Sequence, residues 1–185
     1  MAVSFDVQTQ GPDLADYQRL LDTLGRSDHK AGLLKNIGSE VEDQTIRRIE
    51  KEKTAPDGSA WAPWTEDYKK TRHGGNSLLQ GEGGLLNSIE YQVQRNSVRV
   101  GSALVYAGVH QDGFDGAVQV SAHTRLITQA FGKALKYGVH QSVGAFTRQM
   151  AIPARPYLGL SSSNQTELLA VIGDFWQTVM KEAGL

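Results

Sequence analysis

The chain has no cysteine, which excludes disulfides, thiolate nucleophiles and every cysteine-ligated metal site. It has no apolar run approaching the roughly 18 residues that a membrane-crossing helix requires, so no membrane partner is expected. It has no marked excess of charge either: 19 Lys and Arg stand against 20 Asp and Glu, a formal net charge of -1. A chain so balanced has no overall attraction to nucleic acid or anionic lipid, which leaves only a local basic face open to such partners. Residues 1–10 carry Asp6 and lack both a basic start and an apolar core, so no secretory leader is expected and the cytosol is the expected place of synthesis. Proline is scarce, and four of the five prolines fall in two short stretches, 56–63 and 153–156. Those stretches are where the backbone is stiffest.

The second of them, Ile152-Pro153-Ala154-Arg155-Pro156-Tyr157-Leu158-Gly159, places two prolines about one arginine and follows them with an aromatic and a leucine. Each proline removes a backbone donor and pushes the residue before it toward extended geometry, so Ile152 and Arg155 are expected to lie straight. The result is a stiff strap leading into the last helix. It presents Arg155 at a fixed place, suited to a bidentate pair with a carboxylate inside the chain or across an interface, and docks Tyr157 and Leu158 on an apolar surface. In the first stretch a Pro56-Asp57-Gly58 turn precedes Trp61 and Trp64. Two tryptophans in four residues are costly to leave in water, so they cap the core or meet another subunit.

Periodicity predicts an α+β chain. Leu14, Tyr17, Leu20, Leu21 and Leu24 mark an amphipathic helix over 12–25 that stops at Gly25. A longer helix is predicted over 28–53, with Leu34, Ile37, Val41, Ile46 and Ile49 on one side and the mixed charges of 47–53 on a solvated face. One or two helical turns follow over 65–72, then a flexible loop at 72–77. The glycines at 81–84 lack the Lys-Ser/Thr pair of a phosphate cradle and read as a chain reversal before a short helical turn. Alternation at Ile89, Tyr91, Val93 and then Val98, Val100 predicts a β-hairpin turning near Asn96. A long hairpin arm is predicted over 114–150, with an outgoing strand from Val118 toward Gln129 and a return strand between Val143 and Ala151. A C-terminal helix is predicted from a capping pair Asn164/Glu167, its stripe of Leu168, Ile172, Phe175, Trp176 and Val179 packing on the sheet. The organisation expected is an N-terminal helical segment, 1–53, and an α+β domain, 54–185, that carries the arm.

Candidate chemistry is thin. His110 with Asp112, or with His123 and His140, suggests a metal or acid–base cluster, but no two histidines have helical ligand spacing and the loop-borne aspartates suit turns. A metal-dependent hydrolase therefore stands as a minor alternative. No catalytic, cofactor or metal site is expected. Gly-Val-His-Gln occurs at 108–111 and again at 138–141, with dissimilar flanks that make chance a sufficient account. The arm is distinctive in charge: from Gly116 to Met150 it holds Arg125, Lys133, Lys136 and Arg148 and no Asp or Glu. Such a basic arm suits a subunit contact first and nucleic acid second.

Four segments in order carry a family resemblance: Pro56-Asp57-Gly58 with Trp61 and Pro63; Leu79 with Gly84-Leu85 and Ser88-Ile89; Tyr106-Ala107 with His110-Gln111 and Gly113; and Ile152 to Gly159. Together they resemble the phage virion morphogenesis family, which includes the tail completion proteins of contractile-tailed phages, over roughly residues 54–175. The resemblance implies a non-enzymatic virion component at the neck, where head joins tail, built as a small α+β domain in a ring that is frequently sixfold. Its implied partners are other copies of itself and the adjacent neck, connector and tail tube proteins, with incidental contact to genomic DNA in the channel. On this reading Trp61, Trp64, Tyr106, His110, Arg155 and Tyr157 organise an interface, and the arm bridges protomers.

Overall fold

A computed structural model describes residues 19, 22–23, 25–71, 77–130 and 133–184. The central element is helix α1, Ser27–Arg47, which continues through a π turn, Arg48–Glu52. It ends at Lys53, whose φ of 56° is left-handed. That conformation costs a non-glycine residue about 1 kcal/mol. It places the Lys53 ammonium to donate to the Ile49 and Leu78 carbonyls. A short helix α2, Glu66–Thr71, a 3₁₀ turn, Leu86–Ser88, and a hairpin of β1, Ile89–Gln94, and β2, Ser97–Ser102, follow. The hairpin turns at Arg95 and Asn96, as the alternation predicts. Of the predicted helix over 12–25, residues 19, 22 and 23 are helical and Gly25 lies in a turn; the remaining positions, like the loop at 72–76, fall outside the described residues.

Helix α1 is a spine with two occupied faces. The β1–β2 hairpin packs on it at Gly38, where an added Cβ would lie 2.8 Å from Val98 Cγ2 and collide with the Tyr91 ring. The C-terminal helix α4, Ser162–Glu182, packs on it at Gly32, whose place for a Cβ is 3.3 Å from the Phe175 ring. The main partner of α4 is thus α1, with the hairpin on α1 in turn, whereas sequence pattern pointed to direct packing of α4 on the sheet. An amphipathic stripe states that a face must be covered and not by what. The cap also differs from expectation. Ser161 is the N-cap and its hydroxyl accepts from Asn164 N while Asn164 Oδ1 accepts from Ser161 N, both at 3.2 Å, leaving Glu167 free to pair with Arg47 at 2.5 Å.

The core lies at the C-terminal end of the spine. Ile49, Ala55, Trp61, Leu85, Ile89, Ala107 and Tyr157 are buried together, so residues of the 1–53 stretch and of the 54–185 stretch share one apolar cluster. Helix α3, Ala107–Asp112, closes one side of it and hands the chain to the arm through Gly113.

The arm is two ribbons in series instead of one plain hairpin. At its base β3, Phe114–Val120, pairs antiparallel with β6, Phe146–Ile152; farther out β4, His123–Ala130, pairs with β5, Lys133–Val143. The return leg therefore begins at Lys133, ten residues before the predicted start. Its alternating Leu135, Tyr137 and Val139 do form a strand pattern, but one that builds no core and so escapes a search for buried faces. At about 3.3 Å per residue the outgoing leg, residues 114–130, has a contour of about 55 Å. No described residue between Phe114 and Ile152 is buried.

Candidate functional site

The strap from Ile152 to Ser161 sits at the foot of the arm, and the backbone groups from Pro156 to Leu158 together with the Arg155 side chain are tied to partners in the same chain. Arg155 N donates to the His110 carbonyl at 2.8 Å. The Arg155 guanidinium donates to the carbonyls of Ala62 at 2.9 Å and Pro63 at 3.3 Å. The expected carboxylate is replaced by two carbonyls of the Trp61–Trp64 loop, which an extended proline-flanked segment leaves unpaired and available. Burial moves this guanidinium below its ordinary pKa, with the nearby Tyr68 opposing. Trp61 Nε1 returns a hydrogen bond to the Pro156 carbonyl at 2.9 Å, so loop and strap are cross-tied in both directions.

Gln111 performs the same service from α3. Its Oε1 accepts from both Tyr157 N and Leu158 N at 3.0 Å, and its Nε2 donates to the Leu158 carbonyl at 3.4 Å. One side chain thereby replaces a neighbouring strand. The Tyr157 hydroxyl, 3.3 Å from the Ala107 carbonyl, donates into the core, and burial raises its pKa, with Asp112 adding to the effect.

Below the strap lies the most buried charge in the described chain. The Arg48 guanidinium donates to the Tyr157 carbonyl at 2.9 Å, the Gly159 carbonyl at 2.7 Å and Asn164 Oδ1, and lies 3.8 Å from Glu52. Burial lowers its pKa, and Glu52 partly restores it. Gln44, also buried, donates to Glu40, to the Asn164 carbonyl and to Glu167. The sequence reading of 47–53 as a solvated face fails at Arg48, which is fully buried, while Ile49 is buried as its place on the apolar side predicts. A signal existed, because Arg48 follows Val41 by seven residues and so continues the apolar stripe of α1. Gln44 carries the same mark, seven residues after Ile37, whereas Gln111 has none and Asn164 was legible only as half of a capping pair.

The arm enters and leaves this knot through rigid joints. Gly113 has φ 80°, and a Cβ there would sit 2.9 Å from Ala154 N and 3.0 Å from the Ile152 carbonyl. On the return side, Pro153 follows the last residue of β6 directly.

Of the six predicted contact residues, Trp61, Arg155 and Tyr157 are buried and tie the strap to the body. Trp64, half-buried, meets Tyr68 edge-on at 5.6 Å between ring centroids. Tyr106, 44% exposed, meets the half-buried His110 edge-on at 5.8 Å, and Val105 beside them is fully open to solvent. Trp64, Tyr106 and His110 are therefore the members that offer surface to a neighbour. Arg125, Lys133, Lys136 and Arg148 all lie exposed on the arm. The alternative metal cluster is not assembled: His110 is on α3, His123 and His140 are on the outer ribbon, and no three His, Asp or Glu among the described residues are placed to share an ion.

The chain matches a family model for phage virion morphogenesis over residues 13–176. The chain belongs to that family. It is also 23% identical over 164 residues to protein G of Escherichia phage Mu, provisionally named for capsid assembly, a match covering 86% of this chain and 88% of that one. No solved structure matches. As a family member the chain acts in phage virion assembly, and no helix among its described residues is long and apolar enough to cross a membrane.

Proposed function

We propose that this family member is a structural virion protein of a tailed bacteriophage that forms a ring at the neck, completes the tail and joins it to the head without catalysing a reaction. The observation that carries the reading is the contrast between foot and arm: a strap whose hydrogen bonds are spent inside the chain, and a projecting pair of ribbons with no buried residue. A body built this way holds the arm at a fixed angle and leaves the arm to be covered by something else. In the ring, Trp64, Tyr106 and His110 face a neighbouring subunit or connector protein, and the arm spans protomers. A ring requires a contact between two different surfaces, which a projecting arm and a compact body supply.

The test is a phage in which this chain is absent or carries Tyr106→Ala with Trp64→Ala. Filled heads and complete tails that accumulate unjoined in electron micrographs are the expected result, with wild-type particles showing the labelled protein at the neck. Joined, infectious particles without the protein would refute the reading. The acid-free stretch from Gly116 to Met150 also supports a second use, contact with the genome end in the channel, which steeply salt-dependent DNA binding by the purified chain would reveal.

A further inference from the structure

The arm is chemically one-sided in two ways at once. In the base ribbon, cross-strand register puts Phe114, Val118, Val120, Phe146, Met150 and Ile152 on one face, with Asp115, Gln119, Thr147 and Gln149 on the other. Partners directly opposite in an antiparallel pair project to the same side, so this face is a continuous apolar strip interrupted only by Gly116 and Arg148. Farther out, Tyr137 and Val139 are 75% and 55% exposed, and Val139 stands opposite Ile127. On the base-ribbon face Phe146 is exposed and the other five are half-buried, and a marginal two-stranded ribbon with an apolar face only partly covered is an association surface.

Charge identifies what covers it. Four of the 19 Lys and Arg, and none of the 20 Asp and Glu, lie between Gly116 and Met150, so the rest of the chain carries five more acidic than basic side chains. The acidity is spread over the body: Asp43 on α1, Glu90 on β1 and Asp174 on α4 are exposed and form no ion pair among the described residues. Two arms laid face to face would bring like charges together, whereas an arm on the body of another copy brings opposite charges together. Nucleic acid meets the cations but leaves the apolar strip wet, and four charges along about 55 Å make a sparse phosphate track.

We propose that the arm of one copy docks, apolar face down, on the acidic body of a second copy, head to tail, and that charge disfavours arm-to-arm pairing. This rests on the ring reading and gives it a direction: each copy donates an arm and accepts one, so the contact propagates until it closes.

The experiment uses the full chain, with Tyr137→Glu/Val139→Glu as one variant and Lys133→Glu/Lys136→Glu as another. All four residues are exposed, so unchanged far-ultraviolet dichroism and melting are expected. In sedimentation velocity the wild type assembles with concentration, and each variant alone associates at least tenfold more weakly. In a labelled mixture each variant still binds the wild type, because its body accepts a wild-type arm. Variants that assemble like the wild type overturn the proposal, and a Tyr137→Glu/Val139→Glu variant that binds neither itself nor the wild type shows arm-to-arm pairing and overturns it too. A wild type that stays monomeric but binds duplex DNA through Lys133 and Lys136 assigns the arm to nucleic acid and also overturns it. Complementing a phage that lacks the protein separates this idea from the neck reading. Unjoined particles from a variant that still self-associates remove the arm contact and keep the neck role. Arm-dependent association of a protein dispensable for joining does the reverse.

Discussion

At the scale of single residues, the chain is organised by polar side chains placed where apolar ones would be expected. Arg48 is the extreme case: it supplies donors to two carbonyls of the strap and to the Asn164 amide oxygen. Removing it leaves buried acceptors without donors, and each such group costs about 1–3 kcal/mol. Arg48→Met should therefore lower unfolding free energy by about 3 kcal/mol or more in a urea titration, although the replacement is comparable in length. His110 provides a pH readout. Burial, followed by the nearby Arg155 charge, holds its pKa below the ordinary value. The unfolded chain thus takes up this proton before the folded one does, so the His110 contribution to stability is intact above about pH 6.5 and is lost as pH falls from there toward the folded value. Stability measured from pH 7.5 to pH 5 should decline, and His110→Gln should remove that part of the slope. The half-buried ring of His110 was legible as a contact candidate in sequence; Arg48 was marked only by its place on the apolar stripe, a signal outweighed by the mixed charges around it, which normally face water.

At the scale of elements, α1 succeeds as a spine because two glycines let neighbours approach its backbone. Gly38 seats the β1–β2 hairpin. Its replacement by alanine improves intrinsic helix propensity by about 1 kcal/mol, yet the new methyl would overlap Tyr91 and Val98. Overpacking costs about 1–3 kcal/mol, so Gly38→Ala should give a net loss of stability and a lower midpoint in thermal melting, the opposite of an exposed Gly→Ala change in a helix. Helix and hairpin positions were readable from apolar spacing, and α1 and β1–β2 fall where that spacing puts them. The arm was legible only as a hairpin. Its return strand begins at Lys133 because strand pairing between β4 and β5 needs no buried face, and a pattern that buries nothing gives a weak sequence signal.

At the scale of the whole molecule, a nearly neutral chain divides into a basic arm and an acidic body. A contact between them in different copies is an exposed, charge-assisted interface, and screening shortens its reach to about 8 Å at physiological ionic strength. Raising salt from about 0.05 to 0.5 M should weaken assembly of the purified chain while leaving its melting temperature nearly unchanged; assembly that strengthens or holds constant would mean that apolar burial alone drives it. The sequence by itself determined the class of elements, the stiffness of the strap, the absence of thiol chemistry and the partition of charge, because each depends on local composition or on covalent geometry. Tertiary structure decided which partner each face receives: α1 for the C-terminal helix, two loop carbonyls for Arg155, Gln111 for the strap. It even decided conformation, since Gly-Val-His-Gln is helical at 108–111 and extended at 138–141. Four residues carry too little propensity to choose, and the surroundings that fix their hydrogen bonds lie far away along the chain.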